Sequence, residues 1–270
     1  DIILLDVNQA TLDLFKATDK DVMFKNLNKV FTKEMHHTFK EQLIELWNGK
    51  IHHSREAINY ALDGSIRNVL LQFTVFPGYE NDWGMVQLAL TDITARKKAE
   101  SYLEYLGKHD VLTKLYNRSF FTEEMNRLTR GVIRPVSAIF IDMNGIKEIN
   151  DNYGHDAGDD VLRRMGNILN RTVHNTNFTA SRIGGDEFVV LMQGANETTV
   201  QSTLMTIQEL MNIDNQYYSS HTLSISMGYA STREHEPLDD MLKRADQAMY
   251  KQKKDYYDYL KSEITQTPHS

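Results

Sequence analysis

Two largely apolar runs, Phe178 to Ile183 and Phe188 to Met192, flank the tetrapeptide Gly184-Gly185-Asp186-Glu187. Each run has the length and composition of a buried strand. A Gly-Gly pair between two strands predicts a hairpin turn. This turn passes straight into two adjacent carboxylates, which puts negative charge at a tip where glycine lets a large group approach the backbone. A solvated hairpin with acidic decoration would have the same spelling. The rest of the chain decides between the two.

At 270 residues the chain has room for two domains. Hydrophobic residues at 41% and charged residues at 25% give the balance of an ordinary globular protein. No apolar run approaches the ~18 residues that span a bilayer, and no signal peptide is recognisable. A formal net charge of −7 argues against general affinity for nucleic acid. An acidic chain that handles a nucleotide needs metal ions as mediators. The absence of cysteine excludes disulfides, thiolate metal sites and cysteine nucleophiles, and fits a cytoplasmic setting. The chain begins at Asp1 rather than Met. A partial sequence is therefore expected, and a full-length form could be membrane-anchored.

In the first half, Ile2 to Val7 predicts a short buried strand and Asn8 to Phe15 a helix. Phe39, Leu43, Ile44 and Leu46 recur at helical spacing up to the stop signal Asn48-Gly49. Three strands follow. Ala57 to Leu62 alternates Ile58, Tyr60 and Leu62, Val69 to Phe76 places Val69, Leu71, Phe73 and Val75 on one face, and Met85 to Leu90 turns Val86, Leu88 and Leu90 inward. Asp63-Gly64 and Pro77-Gly78 punctuate them. Short helices and an antiparallel meander make a small α+β module over residues 1–92. With the closing Asp92-Ile93-Thr94-Ala95-Arg96-Lys97 it resembles a PAS domain that lacks its first strand. The resemblance implies a sensor whose ligand is unknown. The doublets His36-His37 and His52-His53 read as exposed histidines rather than a haem or metal site, and Trp47 and Trp83 as packing residues.

Residues 93–109 carry Ala95, Ala99, Tyr102 and Leu106 at spacings of four, three and four. That periodicity predicts a linker helix with a narrow apolar seam, suited either to a parallel coiled coil with a second copy or to packing on its own domain.

A second unit is expected over residues 110–260, followed by a tail over 261–270. Ser119 is placed to cap a helix running to Arg130. Pro135 to Ile141 reads as a buried strand ending on Asp142, and Asp160 to Leu169 as an amphipathic helix. After the central hairpin come a helix from Thr198 to Met211, a strand from Leu223 to Tyr229 and a helix from Leu238 to Gln252. Two α-β repeats around a hairpin predict a mostly antiparallel sheet with helices on one side, an α+β layout.

Four segments in this order carry a specific resemblance. They are Asp142-Met143-Asn144-Gly145-Ile146-Lys147-Glu148-Ile149-Asn150-Asp151, Gly154-His155-Asp156-Ala157-Gly158-Asp159, Arg182-Ile183-Gly184-Gly185-Asp186-Glu187-Phe188, and Arg244-Ala245-Asp246-Gln247-Ala248-Met249-Tyr250. Together they resemble the GGDEF family of diguanylate cyclases. The resemblance implies a palm-like, ferredoxin-like fold of the nucleotidyl cyclase type. It also implies condensation of two GTP molecules into cyclic di-GMP with loss of two pyrophosphates.

On that resemblance, Asp142 and Asp186 converge on hard cations, two Mg2+ per half-site, since magnesium takes oxygen ligands and keeps phosphates as partners. The Met143 position contributes only its backbone carbonyl, and Glu187 either binds metal or helps deprotonate the attacking 3′ hydroxyl. Gly184 and Gly185 leave room for the nucleotide. Asn150 and Asp159 match positions that read guanine, and a carboxylate accepts from its N1–H and exocyclic amine. Lys147 and Lys253 match phosphate contacts. Asp151 and His155 read as part of a loop-and-cap cluster.

Three departures from the family pattern stand out, involving four residues. Tyr257 stands where an arginine is frequent, Ile146 where a phenylalanine is common, and Asn175 and Phe178 stand where an Arg-x-x-Asp product site would lie. No inhibitory product site is expected. One domain holds one GTP while the reaction needs two, so the resemblance implies a two-fold homodimer. Two other readings compete: an idle GTP-binding regulator, and a purine cyclase making a monomeric cyclic nucleotide.

Overall fold

The structure, a computed structural model, describes residues 3–31, 40–41, 43–45, 47–131, 133–218 and 221–266. The chain divides into two compact units, Asp1–Leu103 and Glu104–Ser270.

The first unit opens with α1 (Gln9–Phe15), α2 (Lys20–Lys25) and α3 (Leu27–Val30). Asn8 caps α1 by accepting from the Thr11 N–H, and Asp19 caps α2 through the Val22 N–H. An antiparallel sheet of order β1-β2-β3 follows, built from β1 (His52–Tyr60), β2 (Ile66–Val75) and β3 (Val86–Asp92). Asp63 accepts from the Ser65 N–H at the β1–β2 turn, with Gly64 at φ 82°. Val69, Leu71, Phe73 and Val75 are buried, as their alternation predicts.

The structure corrects several expectations in this unit. Residues 3–8 pair with no strand among the described residues, and Ile3 and Leu5 are 76% and 70% exposed. An apolar run becomes a buried strand only where a ladder partner exists. On β1 the inward set is one residue out of register: Asn59 is buried, its amide donating to the Val30 carbonyl at 3.4 Å, while Ile58 is exposed. Leu88 is exposed as well. His53 is not a surface residue, for its ring is buried and stacked on Phe73 at 5.2 Å. Trp47 and Trp83 meet edge to face at 6.3 Å, with Trp47 exposed. His36, His37, Phe39 and Leu46 lie outside the described residues.

Helix α4 (Thr94–Lys108) begins where Asp92 accepts from the Thr94 N–H at 2.8 Å. Ala95, Ala99 and Tyr102 of its seam are exposed, and Leu106 is half-buried.

The second unit contains α5 (Arg118–Arg130), β4 (Val136–Met143), α6 (Ile146–Tyr153), α7 (His155–Val173), β5 (Thr179–Arg182), β6 (Glu187–Gln193), α8 (Glu197–Tyr217), β7 (Ile225–Ser231) and α9 (Leu238–Gln266). The α5 cap is Asn117, which accepts from the Phe120 N–H at 3.0 Å, rather than Ser119, the second residue of the helix. The sheet runs β5-β6-β4-β7, with every described pairing antiparallel.

Helices cover both faces of this sheet, not one. Ile139, Ile141 and Met143 of β4 join Phe188, Val190 and Met192 of β6 under α7 and α8. The alternate residues Val136, Ala138, Val189 and Leu191 pack with α5 and α9. Alternation along each strand thus feeds two cores, and a sheet covered on both sides reads as nearly continuous hydrophobic runs.

Helix α9 is tied tightly to the edge strand. A Cβ on Gly228 would lie 1.9 Å from the Met249 nitrogen and 2.4 Å from the Ala245 carbonyl oxygen, so β7 and the α9 backbone touch directly there. Arg244 holds the Ser231 carbonyl at 2.6 Å, and Gln252 accepts from the Met227 N–H. These contacts fix the register of α9 on the sheet, and so the position of Lys253.

Candidate functional site

Strand β4 carries Asp142 into the sheet, opposite Glu187 of β6 on one side and Ser226 of β7 on the other. The Met143 N–H donates to the Asp186 carbonyl at 3.0 Å. Main chain, rather than side chains, therefore brings the strand-end and turn aspartates together. Asp142 is buried, Asp186 half-buried and Glu187 exposed.

The electrostatics follow from that placement. Burial raises the Asp142 carboxyl above its ordinary value, Lys253 opposes the rise, and the neighbouring Asp186 carboxylate adds to it. Lys253 Nζ reaches in from α9 to 2.6 Å from Asp142 Oδ1, an oxygen that is buried and makes no hydrogen bond of good geometry. Burial works against the Lys253 ammonium, but Asp142 and Asp186 outweigh it and hold the amine above the usual lysine value. A buried carboxylate oxygen whose closest partner is a stand-in cation fits a site for a divalent ion. No group of three or more His, Asp or Glu side chains converges among the described residues. A divalent ion held here by Asp142, Asp186, Glu187 or main-chain oxygen would keep further positions for phosphate oxygens and water, as magnesium commonly requires.

At the hairpin the two glycines differ. A Cβ on Gly184 would lie 2.3 Å from Glu187 Oε2, so the Glu187 carboxylate rests against that α-carbon, whereas a Cβ on Gly185 would meet nothing within 4 Å. Neither glycine has positive φ. The turn itself does not demand them: Gly184 makes room for Glu187, and Gly185 leaves open space.

The helix pair α6–α7 carries the two residues matched to guanine reading. Gly154, at φ 86°, ends α6 and starts α7. The Asn150 amide packs on Gly158, where a Cβ would lie 2.0 Å from Asn150 Oδ1, and that oxygen is buried without a hydrogen-bond partner. Asp159, the next residue of α7, is partly exposed and 3.6 Å from Arg163. Lys147 stands exposed in the first turn of α6. Ile146 packs on the core, as does Phe178, while Asn175 sits in the loop between α7 and β5 at φ 59°. Asp151 and His155 are exposed.

The contacts of three residues escaped the sequence reading. Arg182 grips the Gly185 carbonyl through Nε and Nη2 at 3.1 and 2.6 Å, and its Nη1 pairs with Asp110 at 3.1 Å. Asn144 donates to Ser224 Oγ at 3.1 Å and accepts from Ser226 Oγ at 3.0 Å, locking the loop after β4 onto β7. Tyr257 accepts from the Gly145 N–H at 3.3 Å. The spacing Asp110-x-x-Thr113 is a local cap pattern and was the one available signal; the other contacts join residues far apart in the chain.

The sequence model of the family described as "Diguanylate cyclase, GGDEF domain" matches residues 107–257. Diguanylate cyclase DgcS of Shewanella oneidensis is 32% identical over 149 residues, which cover 53% of this chain and 49% of that protein. DgcM of Escherichia coli K12 is 31% identical over 201 residues, covering 72% of this chain and 47% of that protein. The chain spans about half the length of these relatives. The solved coiled coil and GGDEF domain of DgcB from Caulobacter crescentus, in complex with c-di-GMP, matches with a TM-score of 0.52 at 23% identity, covering 60% of this chain and 89% of that one. That last likeness is one of fold. No helix among the described residues is long and apolar enough to cross a membrane. With the family match extending over more than half its length, the chain belongs to the GGDEF diguanylate cyclase family.

Proposed function

We propose that the chain is a working diguanylate cyclase, joining two GTP molecules into cyclic di-GMP with release of two pyrophosphates. The observation that carries this reading is the pairing of Asp142 with Asp186 through the Met143–Asp186 main-chain bond, with a cationic group already at the buried Asp142 oxygen. In each half-reaction the 3′ hydroxyl of one GTP attacks the α-phosphorus of the other. The bond to pyrophosphate breaks, and the hydroxyl proton passes to Glu187 or to solvent. Asp142, Asp186, Glu187 and the Met143 carbonyl are the groups assigned to two Mg2+. When bound, the ions offset the negative charge of the triphosphate and of the leaving pyrophosphate.

The remaining residues bind and orient. Lys147 and Lys253 take terminal phosphates, and the open space at Gly185 admits the nucleotide. Asn150 Oδ1, buried without a partner, and the partly exposed Asp159 accept from the guanine edge. Adenine would present Asp159 with a lone pair, which favours GTP over ATP.

Two such sites face one another in a homodimer, whose two-fold symmetry matches that of the product. The exposed seam of α4, within a linker over residues 93–109, is the surface assigned to pairing. The N-terminal unit, residues 1–92, acts as a PAS-like sensor that aligns or misaligns the cyclase domains of residues 110–260. Tyr257, in place of a phosphate-binding arginine, favours a second reading, a GTP-binding regulator without turnover. Incubation with GTP and Mg2+ followed by anion-exchange chromatography separates the two: cyclic di-GMP supports the cyclase, and GTP left unchanged supports the regulator.

A further inference from the structure

The contact between Lys253 and Asp142 bears on how the site loads. Asp142 is 4% exposed, and the Lys253 ammonium lies 2.6 Å from its buried oxygen. Four residues further along α9, the Tyr257 hydroxyl accepts from the Gly145 N–H, in the loop that leads from β4 into α6. Gly228 packs α9 directly on β7, and Gln252 binds the Met227 N–H, so the helix cannot slide. Only the flexible four-carbon stem of the lysine is free to move the charge.

The geometry points to Lys253 as the resident counter-cation of the unloaded site: its ammonium holds the place of a divalent ion on Asp142 and gives it up when metal and triphosphate arrive together. This inference rests on the reading that Asp142 and Asp186 bind the metal. A buried carboxylate left without a cation is costly, so the lysine stabilises the metal-free state. Metal alone must displace the ammonium, which then has no anionic partner. Metal arriving with a triphosphate displaces it toward phosphate oxygens. The two ligands therefore tighten one another, and by linkage the gain is the same in either order.

The test is Mn2+ binding to the whole chain, by calorimetry at pH 8 without nucleotide. Lys253→Gln is expected to bind Mn2+ at least about tenfold more tightly than wild type, the scale of removing a partly buried competitor. The tightening that a non-hydrolysable GTP analogue gives should also be smaller than in the wild type, by the part that comes from moving the ammonium onto phosphate, while direct metal–phosphate coordination persists. Unchanged or weaker Mn2+ binding by Lys253→Gln overturns the inference. Asp142→Asn keeps the two levels apart. If it leaves Mn2+ binding intact, the metal reading falls and the inference with it; if it abolishes binding while Lys253→Gln gains nothing, the metal reading stands and the resident lysine falls. Acetic anhydride labelling of the unmutated chain is a readout free of folding effects. Mn2+ alone should raise labelling of Lys253 severalfold relative to Lys243, which pairs with Asp240 at 3.0 Å on the same helix. Labelling that does not change at saturating Mn2+ overturns the inference.

Discussion

Arg182 Nη1 lies 3.1 and 3.3 Å from the two carboxylate oxygens of Asp110, while the rest of the same guanidinium holds the carbonyl of Gly185. The second unit is thereby pinned, close to its N-terminal end, to the tip of the acidic hairpin. Tyr116 strengthens the link, taking the Arg182 N–H at 2.8 Å and donating to the Ala180 carbonyl at 3.1 Å. A planar fork that engages a carboxylate and a carbonyl at once restricts where the tip can lie.

Replacing Arg182 with Lys should preserve the charge and lose the fork. Cyclic di-GMP formation is expected to fall by at least about tenfold while the melting temperature changes little, because the guanidinium acts on the position of the tip more than on the core. Steady-state assays beside thermal melts check this, and full activity in a folded Arg182→Lys variant would contradict it.

Asp110 carries a pH signature. Burial works to raise its carboxyl, but the Thr113 hydroxyl and N–H and the Arg182 guanidinium outweigh it and hold the group below its ordinary value. Its contribution is therefore present above the unfolded carboxylate value and is lost as pH falls through the folded one. Asp110→Asn should cost about 1–2 kcal/mol at neutral pH, and the gap to wild type should close on acidification below ~pH 4. Urea melts at a series of pH values measure it.

The hairpin glycines should separate in their effects. Gly184→Ala forces the Glu187 carboxylate off its resting place, the far end of a flexible side chain, so stability should change by less than about 1 kcal/mol while turnover drops. Gly185→Ala meets nothing within 4 Å in the chain itself. Any loss of activity there should appear in KM for GTP, with the melting temperature unchanged.

Gly228→Ala addresses the seating of α9. Its methyl group would collide with the Met249 nitrogen and the Ala245 carbonyl, backbone that cannot swing aside. A loss of about 3 kcal/mol or more is expected, read as a lowered urea midpoint. A variant as stable as wild type would show that the helix packs elsewhere.

Product should not feed back through the usual position. Asn175 and the core-packed Phe178 present neither an arginine for phosphate nor a carboxylate for guanine. Initial rates with added cyclic di-GMP should show no tight noncompetitive inhibition.

Much of this architecture was legible in the sequence, and the reasons are local. The runs around Gly184-Gly185 specify β5 and β6, and the alternation of Val69, Leu71, Phe73 and Val75 specifies the inward face of β2. What was not legible depends on partners distant in the chain. Ile2 to Val7 has strand composition but no ladder to join among the described residues. Asn59 is inward because the Val30 carbonyl waits for its amide, which no hydrophobic count can register. The second helical layer on the sheet of the second unit follows from strands apolar on both faces, a pattern that period-two reading does not resolve. In the site, Asp142 and the hairpin carboxylates announce themselves by type, whereas Arg182, Asn144 and Tyr257 matter through contacts 72, 80 and 112 residues away.

The central claim is that Asp142 and Asp186 share a divalent cation beside a bound guanine nucleotide. A crystal grown with Mn2+ and a non-hydrolysable GTP analogue, read by manganese anomalous scattering, tests it most directly. The account predicts manganese against both carboxylates, with guanine at Asn150 and Asp159 and the Lys253 amine moved from Asp142 to phosphate. A nucleotide bound with no ion between those two aspartates would contradict it.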